Sequence, residues 1–117
     1  MARVLVVDDD VDVRDAVHDW LTLHGHSVWV ATSMSEALAI LASVVLEVVL
    51  TDFAMVAHTG AELLRAVAAA HPTIYRILYT GSSDADLQDA RATAHLVLRK
   101  GCDMNEITEA IAARIAP

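Results

Sequence analysis

The sequence predicts a single α/β domain in which a parallel β-sheet is covered by helices on both faces. Apolar, β-branched runs alternate with helical patterns from one end of the chain to the other, five of each. The runs are apolar on both faces, which is typical of parallel strands buried between two layers of helices. A length of 117 residues suits one core but not two. We therefore predict one domain over residues 1–117.

Each predicted strand is a short run rich in valine, isoleucine or leucine. In chain order the strands are Arg3–Val7, Ser27–Ala31, 47–51, 74–79 and 95–98. Because parallel strands are joined by right-handed crossovers, only a few windings are open to such a doubly wound sheet.

Apolar residues at intervals of three or four predict the helices between the strands. They are expected over 11–24, after Ser33, after Thr59, over about 84–91 and after Asp103. Ser33 with Glu36 forms a capping box, and Thr59 with Glu62 forms a second one. The residues predicted to face inward include Leu38, Leu41, Ile107, Ile111 and Ile115.

The composition excludes several classes of protein. A net charge of −8 without a basic stripe argues against nucleic-acid binding by this chain. The longest apolar stretch, 37–50, is interrupted by Ser43 and Glu47 and is shorter than the roughly 20 residues of a membrane helix. One cysteine, Cys102, rules out an internal disulfide and fits a reducing compartment. These features predict an acidic, cytoplasmic domain.

Polar residues follow four of the five predicted strands. They are Asp8, Asp9 and Asp10 after the first strand, Asp52 after the third, Thr80 and Gly81 after the fourth, and Arg99 and Lys100 after the fifth. Doubly wound sheets bind ligands outside the carboxyl ends of their strands, where the strand order reverses. One of the windings open to such a sheet has the order 2-1-3-4-5. In that order the first and third strands are neighbours, so their aspartates would converge on one pocket.

Lys100 is the only lysine among eight basic residues. A compact ammonium on a flexible stem binds phosphate as a point charge, a role that a planar guanidinium does not replace. The converging carboxylates need a positive partner, and Mg²⁺ binds through one or two carboxylates, waters and a phosphate. Asp10 suits the N-cap of the first helix, which leaves Asp8 and Asp9 as the better metal ligands.

Four segments at the strand ends form an ordered set that extends over essentially the whole chain. They are Val4-Leu5-Val6-Val7-Asp8-Asp9, Val48-Val49-Leu50-Thr51-Asp52 with Met55 and Gly60, Ile77-Leu78-Tyr79-Thr80-Gly81, and Leu98-Arg99-Lys100. Each segment alone is weak, but the set resembles the receiver domain of two-component response regulators. The resemblance implies a flavodoxin-like (βα)5 fold, and the strand order 2-1-3-4-5 is the order of that fold.

The resemblance also implies roles for the residues of the pocket. Asp52 would accept a phosphoryl group from a histidine kinase or a histidine phosphotransfer protein. Asp9 and Asp52 would bind Mg²⁺ directly, or Mn²⁺ in its place. Asp8 would assist largely through water, and the backbone carbonyl of Ala54 would complete the protein ligands.

On the same grounds Lys100 would bind one phosphoryl oxygen and Thr80 would move to bind another, while Gly81 leaves room for the phosphate. Such a domain is a switch and not an enzyme, since it catalyses only its own phosphorylation and dephosphorylation. It would signal to an output domain or effector outside this chain. The sequence does not identify the cognate kinase, and it leaves open whether the chain forms a homodimer.

Three positions depart from the family pattern. Val56 replaces another common proline, which is expected to loosen the loop after Asp52. Gly101 stands where a proline, often with a cis bond, usually follows the lysine. Because a cis bond before any other residue costs about 2.5–4 kcal/mol, we expect a trans bond and a slightly re-aimed Lys100.

Val97 stands in place of the aromatic residue that usually turns inward on activation. The usual coupling of a threonine shift to a ring that rotates inward therefore cannot operate in its standard form, and neither His95 nor Tyr79 is favoured as a substitute for that ring.

Two other interpretations stay open. A haloacid-dehalogenase-type phosphatase would use Asp8 as its nucleophile, but that interpretation leaves Asp52 without a role. A receiver-like interaction module that switches without phosphorylation would be compatible with Gly101 and Val97.

Overall fold

The computed structural model describes residues 1–55, 57–81 and 88–115, and the expectation for Val56 lies outside these residues. Within these ranges five parallel strands form one sheet in the order β2-β1-β3-β4-β5. The strands are β1 (Arg3–Val7), β2 (Ser27–Ala31), β3 (Val48–Thr51), β4 (Tyr75–Thr80) and β5 (Leu96–Arg99). The predicted flavodoxin-like fold and its strand order are confirmed, and the predicted strand limits agree to within one residue.

Among the described residues, five helices connect the strands or follow them. They are α1 (Val11–Leu23), α2 (Met34–Ser43), α3 (Gly60–Ala70), α4 (Gln88–Thr93) and α5 (Asn105–Ile115). The helix predicted over about 84–91 begins at residues that lie outside the described ranges, and its described part extends two residues further than predicted. None of the described helices is long and apolar enough to cross a membrane.

The sheet is buried on both faces, as predicted. Successive residues of a strand point to opposite faces. Val4 and Val6 therefore pack on the side of α1 and α5, whereas Leu5 and Val7 pack on the side of α2 and α3. All four are at most 1% exposed. Burying such a side chain contributes about 1.5–3 kcal/mol, so the sheet gives the residues at its carboxyl edge a rigid base.

The helices largely bury the residues predicted to face inward. Leu41, Ile107 and Ile111 are buried, and Ile115 is partly buried. The prediction for Leu38 is wrong, since this side chain is 40% exposed. Ala37 and Leu41 form the buried stripe of α2 four residues apart, and Leu38 lies about 100° around the helix from Ala37.

Hydroxyl side chains cap α2 and α3 at the predicted positions. Ser33 Oγ accepts a hydrogen bond from the N–H of Glu36 at 3.2 Å. Thr59 Oγ1 accepts one from the N–H of Glu62 at 3.3 Å. Each bond satisfies one of the donors that a helix leaves unpaired at its start, which fixes where α3 begins after the loop that follows Asp52.

Candidate functional site

Backbone hydrogen bonds extend the sheet by one residue beyond the ends of three strands. The N–H groups of Asp8, Asp52 and Lys100 each donate to a carbonyl of the neighbouring strand. The acceptors are, in the same order, Ala31, Val7 and Thr80, at 3.1, 2.9 and 3.0 Å. These three side chains therefore start from backbone that the sheet holds in place at its carboxyl edge.

Three carboxylates meet at this edge, where β1 and β3 are neighbours. Asp8, Asp9 and Asp52 each bring one oxygen within 4.8 Å of the others. Asp8 and Asp52 are buried, at 3% and 7% exposure, whereas Asp9 is exposed. The structure thus brings together the aspartates that the sequence places at the ends of the first and third strands.

The ammonium of Lys100 lies between the two buried carboxylates. Its Nζ is 3.1 Å from Oδ2 of Asp8 and 3.2 Å from Oδ2 of Asp52. Burial alone would lower the pKa of Lys100, but the hydrogen bonds and charges of Asp8 and Asp52 outweigh burial and raise the pKa. Lys100 therefore carries its positive charge at neutral pH and offsets part of the repulsion between the carboxylates.

Asp8 is not fully compensated by Lys100. Burial raises the pKa of Asp8, and the negative charge of Asp52 adds to this effect. A hydrogen bond from the N–H of Asp10 and the contact with Lys100 oppose it, and the pKa stays above its ordinary value. A further positive charge at this point would relieve the carboxylate.

The two buried carboxylates use their oxygens in the same way. Oδ1 of Asp8 accepts a hydrogen bond from the N–H of Asp10 at 2.9 Å, and Oδ1 of Asp52 accepts one from the N–H of Phe53 at 2.8 Å. Oδ2 of each faces Lys100. One oxygen of each carboxylate is thus held by a backbone N–H, while the other contacts the side chain of Lys100, which a bound ligand can displace.

The side chain of Asp10 caps α1, as predicted.

The loop after Asp52 returns to the site at Gly60. The N–H of Gly60 donates to the carbonyl of Phe53 at 2.7 Å, and Ala54 pairs with Thr59 in an isolated antiparallel bridge. A Cβ on Gly60 would lie 2.2 Å from the carbonyl oxygen of Asp52, so only glycine permits this approach. The sequence offered Gly60 only as part of the resemblance. The role of the Ala54 carbonyl as a metal ligand stays a prediction.

Thr80 and Gly81 stand at the end of β4. Thr80 is fully buried. Among the described residues, no atom lies within 4 Å of a Cβ built on Gly81. The expected room for a phosphate beside Gly81 stays a prediction. The predicted contact of Thr80 with a phosphoryl oxygen stays a prediction.

The bond between Lys100 and Gly101 is trans, as expected, because the described residues contain no cis peptide bond. Gly101 adopts a φ of +93°, which lies in the left-handed region. The expected re-aiming of Lys100 stays a prediction.

The two residues considered as substitutes for the missing aromatic lie away from Val97. Val97 packs on the α2 and α3 side of the sheet, whereas Tyr79 is buried on the α1 and α5 side. His95 precedes β5 at the amino edge of the sheet, where its ring stacks on Tyr75 at 5.4 Å between centroids. Neither residue occupies the place that Val97 leaves.

The acidic cluster suits a hard cation with oxygen ligands. Mg²⁺ binds oxygen at about 2.0–2.1 Å, so two of its ligands lie at most ~4.2 Å apart. Carboxylate oxygens already within 4.8 Å of one another need only small movements to reach that spacing. Asp8, Asp9 and Asp52 can therefore hold a metal ion.

Comparison with known proteins assigns the family. The sequence profile of the response regulator receiver domain matches residues 4–112. The chain belongs to this family, as its resemblance implied. Receiver domains are in general signalling domains and not classical enzymes, which argues against the phosphatase interpretation.

The sequence relatives are response regulators of greater length. The response regulator FleR from Pseudomonas aeruginosa is 30% identical over 113 residues, which are 95% of this chain and 24% of FleR. The C4-dicarboxylate transport transcriptional regulator DctD from Rhizobium meliloti is 37% identical over 81 residues, which are 69% of this chain and 18% of DctD. The chain thus spans about a quarter or less of these relatives.

Solved structures share the fold. A response regulator receiver domain from Clostridium thermocellum superposes with a TM-score of 0.89 at 28% identity, over 98% of this chain and 94% of the other. The response regulator TrrA from Thermotoga maritima, in complex with Mg²⁺ and beryllofluoride, superposes with a TM-score of 0.90 at 24% identity, over 98% and 100% of the two chains.

Proposed function

We propose that this chain is a phosphorylation-dependent receiver domain in which Asp52 accepts the phosphoryl group. One observation carries the proposal. Nζ of Lys100 lies within 3.2 Å of both Asp8 and Asp52, which form an acidic cluster with Asp9. Phosphoryl transfer depends on positioning and charge neutralisation more than on covalent chemistry by the protein, and these side chains offer both.

The phosphoryl donor in this proposal is a phosphohistidine of a sensor kinase or of a phosphotransfer protein. A carboxylate oxygen of Asp52 attacks phosphorus and the P–N bond breaks. The electron pair stays on the imidazole, which takes a proton from solvent. The N–H of Phe53 holds Oδ1 of Asp52, so Oδ2 is the expected nucleophile. Lys100 then exchanges its contact with Asp52 for a phosphoryl oxygen.

Asp9 and Asp52 would hold Mg²⁺, with Mn²⁺ as a substitute. Asp8 would assist largely through water, and the carbonyl of Ala54 would complete the set. When bound, the ion neutralises charge on the carboxylates and on the phosphoryl oxygens. The raised pKa of the Asp8 carboxyl supports this assignment, because it indicates a buried charge that lacks full compensation.

Phosphorylation would switch the domain by replacing the single negative charge of the Asp52 carboxylate with an acyl phosphate, which carries about −1.5 to −2 charges and three further acceptor oxygens. Thr80, buried at the end of β4, would hydrogen-bond a phosphoryl oxygen and pass the change on toward β5. A small apolar side chain at Val97 gives no ring to rotate inward, so we propose that this relay differs from the usual one.

We further propose that residues 1–117 act as one cytoplasmic receiver domain. Relatives about four times as long support an output domain or effector outside this chain. The net charge of −8 supports signalling through a protein partner in preference to direct contact with nucleic acid. A homodimer is one arrangement in which such an output could be controlled.

Acetyl phosphate with Mg²⁺, followed by intact-mass spectrometry, tests the proposal. The wild-type chain is expected to gain one phosphoryl group, and Asp52→Asn is expected to gain none. Asp12→Asn is the matched control, because it removes an exposed carboxylate of α1 away from the cluster and should react like the wild type.

Two results would contradict the proposal in different ways. Modification that persists in Asp52→Asn but disappears in Asp8→Asn would make Asp8 the nucleophile of a phosphatase-type site. A wild-type chain that takes no phosphoryl group from acetyl phosphate or from a phosphorylated histidine phosphotransfer protein would favour a module that switches without phosphate.

A further inference from the structure

Lys100 lies in a tight turn between β5 and α5. The N–H of Cys102 donates to the carbonyl of Arg99 at 3.1 Å, which closes a four-residue β-turn with Lys100 and Gly101 at its centre. Gly101 has a φ of +93°, whereas Lys100 is not among the residues with positive φ. A positive φ at the second central position alone is the pattern of a type II turn.

The backbone of Lys100 is held on both sides. Its own N–H donates to the carbonyl of Thr80 at 3.0 Å, which continues the ladder between β4 and β5. Leu98, two residues earlier, is buried, and Cys102, two residues later, packs against the core on the α1 and α5 side. The turn therefore sets where the long side chain of Lys100 starts.

Backbone geometry, not space, requires a glycine at position 101. In the part of the chain that the structure describes, no atom lies within 4 Å of a Cβ built on Gly101. A φ of +93°, however, is strained for residues with a Cβ, most of all for β-branched ones. A proline ring fixes φ near −65°. The observed turn is thus incompatible with the proline that the family pattern usually has after its lysine.

We propose that Gly101 is a positioning residue for Lys100, because the turn that it permits places Nζ between Asp8 and Asp52. The inference rests on the proposed function, in which Lys100 binds a phosphoryl oxygen. Nζ sits at the end of a flexible stem, and the side chain is 26% exposed, so water competes with the carboxylates for it. A turn that relaxes at Gly101 lets the ammonium move toward solvent.

Binding of beryllofluoride in the presence of Mg²⁺, measured by calorimetric titration, tests the inference. Because a Cβ at this position would meet no described atom within 4 Å, an alanine acts through φ and not through collision, and a valine adds the stronger restriction on φ of a β-branched residue. Gly101→Val is expected to weaken binding roughly tenfold, or about 1.4 kcal/mol. Gly101→Asn tolerates the left-handed region and is expected to stay within about threefold of the wild type. Gly101→Ala carries the same test if the valine variant does not fold.

The same substitution in a Lys100→Met variant distinguishes the positioning of Lys100 from a general disturbance of the site. In Lys100→Met the ammonium is absent, so adding Gly101→Val is expected to change beryllofluoride affinity by less than about twofold. Equal losses in both backgrounds, or a valine variant that binds as tightly as the wild type, would overturn the inference and leave the proposed function standing. A wild-type chain that fails to bind beryllofluoride would count against the proposed function itself.

Discussion

Gly60 lies close against the backbone of the proposed phosphoacceptor, Asp52. A Cβ at this position would lie 2.2 Å from the carbonyl oxygen of Asp52 and 3.0 Å from its carbonyl carbon. The N–H of Asp52 is in turn bonded to Val7 at 2.9 Å. Because the sheet holds the neighbouring atoms, a side-chain movement cannot relieve the collision.

Gly60→Ala is therefore expected to lower the free energy of unfolding by about 2 kcal/mol or more and to slow phosphorylation of Asp52. Urea denaturation and acetyl phosphate labelling measure the two effects. Gly81→Ala is the matched control for stability. Its Cβ would meet no atom of the described residues within 4 Å, so the free energy of unfolding should change by less than about 0.5 kcal/mol. A Gly60→Ala variant as stable as the wild type would show that the loop after Asp52 can adopt another backbone conformation that avoids the collision.

Single residues of the site differ in how far the sequence alone could predict them. Lys100 was predictable because it is the only lysine and follows a strand. Asp8 and Asp52 were predictable because carboxyl ends of neighbouring parallel strands meet at one edge. The contact of Gly60 with Asp52 was not, since it depends on how the intervening loop folds back. The turn at Gly101 was foreseen only as a trans bond.

At the scale of elements, each edge strand is preceded by a histidine that binds the neighbouring strand region. Nδ1 of His26 lies 2.9 Å from the backbone nitrogen of Ala2, just before β1. Nδ1 of His95 lies 3.0 Å from the backbone nitrogen of Arg76 in β4. A backbone N–H can only donate, so Nδ1 is the unprotonated acceptor in both rings. Protonation at Nδ1 would remove both hydrogen bonds.

The pKa values of both imidazoles agree with this geometry. Burial lowers the pKa of His26, and the positive N-terminus adds to the effect. Burial also lowers the pKa of His95, followed by the charges of Arg76 and Arg114. The unfolded chain then binds more protons than the folded one. Stability from these groups is complete above the unfolded value of about 6.5 and is lost as pH falls from there through the lowered pKa values.

We expect the free energy of unfolding to fall as the pH drops below about 6.5, partly through the protonation of these two rings. In the double variant His26→Asn with His95→Asn, the amide oxygen accepts the same bond without titrating. The slope of stability against pH should drop by up to about two protons, one for each ring. His71→Asn, an exposed control at the end of α3, should keep the wild-type slope. An unchanged slope in the double variant would exclude both histidines as the cause.

The elements themselves were well predicted, because apolar periodicity and caps are local signals. Even so, one predicted hydrogen bond of each capping box is wrong, namely the one from the backbone N–H of the N-cap residue to the glutamate carboxylate. The carboxylate of Glu36 accepts hydrogen bonds from the N–H and hydroxyl of Thr32, and that of Glu62 lies 2.7 Å from Nδ1 of His58. In both helices the glutamate bonds to the residue before the cap. A spacing of three residues predicts the N-cap residue. It does not predict which neighbouring group forms the hydrogen bond to the glutamate carboxylate.

At the scale of the whole molecule, the buried carboxylate of Asp8 lowers the stability of a chain that is already acidic. The net charge is −8. Burial and the charge of Asp52 raise the pKa of Asp8, so folding disfavours its ionised form. The sign follows from linkage: the stability that a protonated Asp8 gives is lost as pH rises through its unfolded value of 3.8 and the raised folded value. At neutral pH Asp8 therefore costs stability unless a cation is bound.

Asp8→Asn is expected to make the metal-free protein more stable by roughly 0.5–2 kcal/mol, the range typical of relieving a functional site. The amide oxygen can still accept from the N–H of Asp10, and Lys100 keeps Asp52 as its partner. Thermal unfolding in the presence of a chelator measures the gain. Asp12→Asn removes the same charge from the exposed first turn of α1, where carboxylates are favourable, and should give no gain.

Mg²⁺ should reverse the order of the two proteins. A ligand at 100 times its Kd stabilises the folded state by about 2.7 kcal/mol, and the wild-type cluster offers three carboxylates where Asp8→Asn offers two. Titrating Mg²⁺ should therefore raise the unfolding midpoint of the wild type further than that of the variant. If both midpoints rise equally, the ion binds elsewhere. If the metal-free variant is no more stable than the wild type, Lys100 alone already compensates the buried carboxylates.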